Sequence, residues 1–93
     1  MLVHVVCFQF ADPHDAQDAV ARLARMRGKI PTMTAIDVGL DITRSARSYD
    51  VALVTRHADA AGMAAYQAHP VHLEVVAWIR SKQPATVAVD FEA

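Results

Sequence analysis

The first hydrophobic segment of the chain, residues 2–10, alternates in a way that predicts a β-strand. Side chains of even-numbered residues lie on one face of such a strand and those of odd-numbered residues on the other. Both faces are largely apolar, whereas a strand packed on one side only would show polar residues on its other side. The even face carries His4, Val6, Phe8 and Phe10, and the odd face carries Val3, Val5, Cys7 and Gln9.

A helix is predicted to follow this strand. Asp12 can accept hydrogen bonds from the unpaired N–H groups at a helix start, and Pro13 suits the first turn. Apolar residues then recur at helical spacing as far as Arg27. Gly28 stands where helices often end, and Pro31 disfavours helical geometry in the residue before it.

The same patterns predict three more strands and a second, interrupted helix. The break falls at His69-Pro70, where proline suits the first turn of a new helical segment. The predicted strands cover residues 33–41, 49–57 and 85–91, and the helical segments cover a short stretch after Asp59 and residues 70–80.

The resulting order, β-α-β-β-α-β, predicts an α+β fold. It is the ferredoxin-like arrangement, a four-stranded antiparallel sheet with helices on one face, and we expect residues 1–93 to form a single domain. The helices would leave the odd face of the first strand uncovered, and an exposed apolar sheet face calls for a partner. We therefore expect a homodimer that packs two sheets face to face, a dimeric α+β barrel.

Composition narrows the functions to consider. Apolar residues make up 54% of the chain, and nine Lys and Arg are balanced by ten Asp and Glu. Without a basic patch, a nucleic-acid partner is not expected. No apolar run approaches the ~20 residues of a membrane span, and the apolar opening lacks the positive flank of a signal peptide. The single cysteine fits a reducing compartment, so we expect a cytoplasmic protein.

Two of the five histidines are predicted to point into one space. His4 shares its strand face with large apolar residues that should meet the helices, and His72 lies on a helical stripe that should meet the sheet. Burying an imidazole costs free energy unless it finds a partner, and its titration near neutral pH suits acid–base chemistry. Two interpretations stay open, a pair of satisfied core histidines or a functional pair. The stripe of His72 also carries Val75, Val76 and Ile79.

The remaining polar aromatic residues have predicted positions but less evident roles. The phenol of Tyr66 could supply a hydrogen bond to the same space, although packing alone is the commoner role of a tyrosine. We expect His14 to be solvated in the first turn of its helix and His57 to lie at the surface or rim. His69 begins the next helical segment, and a capping role is weighed there at least equally with a catalytic one.

Neither a metal site nor a cofactor is expected. The His-x-x-His spacing of His69 and His72 has no third ligand nearby, and zinc needs three or four. Cys7 has no basic group beside it and is interpreted as a small core residue of the dimer side. The sequence has no glycine-rich phosphate loop, no nucleophile elbow and no signature of a catalytic carboxylate pair.

Five segments together resemble the stress-responsive A/B barrel family, whose members are also called Dabb domains. The segments occur in the family's order and span nearly the whole chain, and Tyr-x-x-His-Pro-x-His is the most specific of them. They are residues 3–10, 29–31, 49–54, 65–72 and 89–91.

The resemblance implies a ferredoxin-like subunit that forms a dimeric α+β barrel. Most members lack an assigned reaction, but a plant member is a polyketide cyclase that works by intramolecular aldol condensation. By resemblance, the catalytic histidine pair of that enzyme falls on His4 and His72, and a tyrosine of its pocket falls on Tyr66. A second pocket tyrosine is replaced here by Leu23, which removes one polar contact to the substrate.

Several functions stay open at this stage. One is a protein that binds a small hydrophobic or carbonyl-containing molecule between sheet and helices, or a dimer whose histidines are purely structural. Another is a cofactor-free lyase, cyclase or isomerase that uses His4 or His72 as base and Tyr66 as hydrogen-bond donor. A third is a cofactor-independent monooxygenase. The expected ligand contacts are Val6, Phe8, Leu23, Val75 and Val76.

Overall fold

The computed structural model of the chain describes residues 1–93 and has the predicted ferredoxin-like fold. Four antiparallel strands form one sheet in the order β2-β3-β1-β4, so the first strand lies inside the sheet and the last forms an edge. The elements are β1 (Leu2–Gln9), α1 (Pro13–Ala24), β2 (Ala35–Leu40), β3 (Val51–His57), α2 (Ala60–Ala68), α3 (Pro70–Ser81) and β4 (Ala85–Glu92).

Side chains cap the start of each helix, as the sequence predicts. An Asp12 oxygen accepts a hydrogen bond from the backbone N–H of His14 (2.8 Å), and Asp59 caps α2 in the same way through the N–H of Gly62 (2.8 Å). His69 caps α3, because its Nδ1 accepts a hydrogen bond from the backbone N–H of Val71 (3.1 Å). The predicted capping role of His69 is confirmed.

The first helix is shorter than its pattern predicts. It ends at Ala24 instead of Arg27, and the next turns use hydrogen bonds between residues three apart, such as Arg27 N to Ala24 O (3.2 Å). The turn brings the Arg27 guanidinium to the carbonyl oxygen of Ile36 on β2 (2.7 Å). Gly28 then adopts a positive φ of 76°, which glycine allows at no steric cost. Apolar periodicity continued past the helix because Met26 is still buried in the core.

The even face of β1 lies against the helices, as predicted. His4, Val6, Phe8 and Phe10 are all buried. The neighbouring strands bring Thr55, Leu53 and Val51 of β3 into register beside the first three of these residues. Helix residues complete this core, namely Ala16, Ala19, Leu23, Tyr66 and Ile79.

The odd face of the sheet is less bare than expected. Val3 is only 1% exposed within the single chain, so the prediction that it stands open is wrong. Its paired neighbours on the same face are Arg56 and Phe91, two long side chains that flank the valine on either side. The exposed apolar surface instead lies on the edge strand, where Val89 is 63% and Phe91 45% exposed.

No helix is long and apolar enough to span a bilayer. The longest, α1 and α3, have 12 residues each, against the ~20 that a span needs. The cytoplasmic location stays a prediction.

Candidate functional site

A cavity of about 330 Å³ lies between the sheet and α3, on the even face of β1. This volume is at the lower end of the ~300–1,000 Å³ that small-molecule pockets occupy. The apolar side chains lie along its walls, and the polar ones come from the starts of β1 and β4, the end of α2 and both ends of α3. The lining comprises His4, Val6, Phe8, Leu23, Leu53, Tyr66, His72, Val76, Ile79, Arg80, Gln83, Pro84 and Thr86.

Three imidazoles surround the ring of Tyr66 at one end of this cavity. The ring centroid of Tyr66 lies 4.4 Å from that of His72, 4.8 Å from that of His57 and 6.3 Å from that of His4. The four rings come from β1, β3, α2 and α3, so the packing of helices on the sheet assembles them.

The hydroxyl of Tyr66 has no hydrogen-bond partner in the protein. The residue is 0% exposed, and its Oη is a buried side-chain polar atom without a partner. Burial raises the pKa of the Tyr66 phenol to about 12, against a smaller opposing effect of the nearby Thr55 hydroxyl. The phenol is therefore protonated at neutral pH. It is a buried donor that forms no hydrogen bond of normal geometry, with only the Thr55 hydroxyl close by, and such an arrangement costs free energy in the unliganded protein.

A backbone contact fixes the tautomer of His72. Its Nδ1 lies 2.9 Å from the carbonyl oxygen of Gln67, and because a carbonyl only accepts, Nδ1 must carry the proton. The lone pair of neutral His72 is then on Nε2, which makes no hydrogen bond to the protein. Burial lowers the pKa of His72 and outweighs the hydrogen bond to the Gln67 carbonyl, which raises it, while the charge of Arg80 lowers it slightly further. A neutral imidazole with one free lone pair is the form that a general base requires.

His4 is oriented by a carboxylate on the neighbouring strand. The register pairs His4 with Asp90 of β4, and the two side chains form a short hydrogen bond between Nδ1 and Oδ1. A carboxylate hydrogen-bonded to Nδ1 fixes the orientation of the ring and leaves Nε2 unbonded to the protein. The ring faces the cavity beside Tyr66.

His57 lies in the interior, so the prediction that it sits at the surface or rim is wrong. It is fully buried, its Nδ1 donates to the carbonyl oxygen of Thr32 (3.2 Å) and its Nε2 accepts from the hydroxyl of Thr55 (2.9 Å). Burial lowers the pKa of His57, which keeps the ring neutral. Both ring nitrogens therefore have hydrogen-bond partners, and the His57 ring packs against the Tyr66 ring.

Comparison with protein families matches residues 2–93 to the stress responsive A/B barrel domain, Dabb. The chain belongs to the Dabb family. The prediction made from the five segments is confirmed over nearly the full length.

Solved structures agree with the fold. A dimeric ferredoxin-like protein of unknown function from Thermobifida fusca is 28% identical, with a TM-score of 0.87, and the match covers 99% of this chain and 90% of the other. A dimeric protein of unknown function and ferredoxin-like fold from Bacteroides fragilis is 19% identical, with a TM-score of 0.85 and coverages of 99% and 95%.

A more distant neighbour is SnoaB, a cofactor-independent oxygenase from Streptomyces nogalater. It is 15% identical, with a TM-score of 0.75 and coverages of 99% and 91%, and at this identity the likeness concerns the fold alone. Comparison with curated proteins finds no match to this Dabb domain.

The structure brings most of the sequence-predicted site residues of this Dabb domain into one cavity. The three polar candidates line it together with four of the five expected ligand contacts, namely Val6, Phe8, Leu23 and Val76. Their roles stay predictions, because position alone does not demonstrate function.

Val75 is the exception, since it lies outside the cavity. It lines a separate groove between α1 and α3 with residues such as Val71 and Arg22. Each helical residue turns the side chain by about 100°, so Val76 lies roughly 40° from His72 on the cavity side and Val75 roughly 60° from it on the α1 side. The stripe of α3 that was predicted to face the cavity therefore included one residue too many, Val75.

The potential metal ligands of this Dabb domain are scattered. Nowhere do three or more His, Cys, Asp or Glu side chains come together in an arrangement that could hold a metal ion. The Nδ1 atoms of His69 and His72 are both engaged with the backbone, in the cap of α3 and with Gln67 respectively.

The site contains residues that sequence reasoning missed. Asp90 was seen only as part of a family segment, and an acidic residue inside an otherwise apolar strand was the available signal. The parity of β3 places His57 on the same face as Thr55, which would have moved it from the rim to the core. Arg80 and Gln83 follow the predicted stripe of α3 and gave no signal by themselves.

Proposed function

We propose that this Dabb domain binds a small, mainly apolar molecule that carries a carbonyl group, in the cavity beside Tyr66. The observation that supports this most is the buried, unpartnered hydroxyl of Tyr66, a residue of the cavity lining. A carbonyl oxygen is a pure acceptor, and it would satisfy this donor without a further proton. Seven of the thirteen lining residues are hydrophobic, which suits the rest of such a molecule.

The binding proposal is tested with 4-phenylbutan-2-one, an apolar ketone, by titration followed in ¹H–¹³C NMR spectra of the protein. We expect saturable shifts of the methyl groups of Val6, Leu23 and Val76. Tyr66→Phe should weaken binding about fivefold or more, since it removes one hydrogen bond in a desolvated site. Tyr49→Phe, at a half-buried tyrosine outside the cavity, is the matched control and should bind normally. Absence of saturable shifts at those methyl groups would contradict the proposal.

A second candidate function, proton transfer next to the bound carbonyl, is supported by the geometry of His72. Its free Nε2 lone pair would remove a proton from the carbon adjacent to the carbonyl. The electron pair of the broken C–H bond would move to the carbonyl oxygen as an enolate, which the Tyr66 hydroxyl would stabilise by a hydrogen bond. His4, held by Asp90, would return a proton to the enolate or to a second carbonyl oxygen. This chemistry underlies isomerases, lyases and aldol cyclases and needs no cofactor.

Hydrogen–deuterium exchange of 4-phenylbutan-2-one in D₂O tests the second function. We expect the protein to accelerate exchange at the carbons flanking the carbonyl, and His72→Gln to reduce that rate by about 10²-fold or more. His14→Gln, at an exposed histidine, should retain it. Unchanged exchange in His72→Gln would remove the base assignment, and oxygen uptake during turnover of an electron-rich aromatic would instead indicate oxygenation.

We further propose that two copies associate through the odd sheet face. A row of valines crosses its centre, because Val5 pairs with Val54 on one side and with Val89 on the other. The relatives from Thermobifida fusca and Bacteroides fragilis are dimeric. In sedimentation velocity at micromolar concentration we expect a dimer that Val89→Asp dissociates. Leu73→Asp, at an exposed leucine on α3, should leave it intact, and a monomeric wild-type protein would contradict the proposal.

A further inference from the structure

The mouth of the cavity carries one fixed charge, and it is positive. Arg80 is the only Lys or Arg among the thirteen lining residues, and no Asp or Glu is among them. Tyr66 and His72 add no charge near neutral pH, because burial raises the pKa of the phenol to about 12 and lowers that of the imidazole. A concave, partly desolvated site with a single cation selects an anion over a neutral or cationic group.

Arg80 is not committed to another part of the protein. Its guanidinium forms neither a salt bridge nor a hydrogen bond, whereas other cations nearby are engaged. Lys82 pairs with Asp15 (3.5 Å) and lies over the ring of Trp78, and Arg22 stacks on the same ring at 4.4 Å. Those two cations fasten α1 to α3, and Arg80 remains available to a ligand.

The backbone positions of Arg80 and of the histidine cluster lie toward opposite ends of the cavity. His72 and Arg80 are eight positions apart on α3, which separates their Cα atoms by about 12 Å. Along the sheet, the pair of His4 and Asp90 stands four positions from the pair of Phe8 and Thr86, or roughly 13 Å. Two elements therefore give a similar backbone span between the Arg80 end of the cavity and the histidine end.

Neutral polar side chains accompany Arg80 in the lining. Gln83 and Thr86 both border the cavity. Gln83 directly follows the C-cap of α3 and has a positive φ of 52°, a position at which helices usually end in glycine. The backbone conformation at this position favours glycine, yet the chain has a glutamine here. Its side-chain amide borders the cavity.

We propose that the ligand is an amphipathic carboxylate, an oxo acid whose carboxylate binds Arg80 at the mouth while its ketone oxygen accepts from Tyr66 at the inner end. The apolar chain between the two groups lies along Phe8, Leu53 and Ile79. A planar guanidinium binds a carboxylate through two parallel hydrogen bonds, and the Gln83 amide adds a third donor. This inference rests on the proposed carbonyl site and specifies the substrate class of that site.

The test uses 6-oxo-6-phenylhexanoate and its uncharged N-methyl amide, which share the ketone and differ in charge. Dissociation constants are measured by isothermal titration calorimetry. We expect wild-type protein to bind the carboxylate about fivefold or more tightly than the amide, and Arg80→Gln to bind both equally. Arg47→Gln, at an exposed arginine of the β2–β3 loop, is the charge-matched control and should keep the preference.

Failure of the carboxylate site and failure of the ketone site give different results. Equal binding of the acid and the amide to wild-type protein, or an undiminished preference in Arg80→Gln, would overturn the assignment of Arg80 and leave the ketone site standing. Tyr66→Phe should weaken both ligands by the same factor and preserve their ratio. Binding of neither ligand to wild-type protein would overturn both proposals.

Discussion

Replacing Tyr66 with phenylalanine should stabilise the unliganded protein, which is an unusual expectation for a buried residue. The substitution removes one oxygen and keeps the ring that packs against His4, His57 and His72. The oxygen it removes has no partner in the protein and is fully buried. A buried hydroxyl that loses its water without gaining a protein partner costs about 1–3 kcal/mol.

We therefore expect the free energy of unfolding to rise by about 1 kcal/mol, the lower part of that range, because the Thr55 hydroxyl is close to the phenol. For a domain of this size, 1 kcal/mol corresponds to an increase in Tm of roughly 5 °C. Urea unfolding followed by circular dichroism measures the difference directly. Both proteins are compared at one concentration, since dimerisation would couple stability to concentration.

Tyr49→Phe provides the control for loss of a tyrosine hydroxyl. Tyr49 is half-buried and its oxygen is not among the buried unpaired atoms, so its replacement should change stability by no more than ~0.5 kcal/mol. A Tyr66→Phe protein that is less stable than wild type by 0.5 kcal/mol or more, on the order of a net hydrogen bond, would refute the reasoning. It would mean that the hydroxyl is already satisfied when no ligand is bound.

Three further predictions concern titration, capping and helix packing. Burial holds the pKa of both His57 and His72 below the unfolded value of 6.5, so the unfolded state binds more protons. The free energy of unfolding should therefore be fully present above pH 6.5 and fall as the pH drops through the folded pKa values. His57→Gln should reduce this pH dependence in urea unfolding between pH 5 and 8. His69→Ala should lose about 1 kcal/mol by removing the cap of α3, whereas His69→Asn should retain most of it, and equal losses would argue against a capping role. Trp78→Ala should lower the free energy of unfolding by about 2–3 kcal/mol, because the ring joins α1 to α3 between two cations. Leu73→Ala, on the exposed side of α3, should lower it by less than ~0.5 kcal/mol, and thermal unfolding measures both.

Strand parity and helix caps were sufficient to predict the fold and one wall of the cavity. The alternation of β1 correctly placed His4, Val6 and Phe8 against the helices. Because side chains alternate with a period of two, the face of every residue in the strand is fixed once one of them is known to be buried. The caps at Asp12 and Asp59 were predictable for a similar reason, since they depend only on neighbouring residues.

Features that depend on register or on neighbouring elements were not predictable. The pairing of His4 with Asp90 depends on how the turn after α3 positions β4, which the pattern of β4 does not specify. Val3 is buried between its paired neighbours on two other strands, so its burial could not be deduced from its own strand. The assignment of Val76 to the cavity and Val75 to the α1 groove depends on the rotation of α3, which spacing gives only to within one residue.

The central claim, that the Tyr66 hydroxyl receives a carbonyl oxygen in this cavity, is tested most directly with 4-phenylbutan-2-one labelled with ¹³C at the carbonyl carbon. Hydrogen bonding to the oxygen moves the carbonyl resonance downfield, so we expect a downfield bound signal with wild-type protein that is lost with Tyr66→Phe. A bound resonance that is the same with both proteins would show that the ketone contacts another donor and would contradict the account.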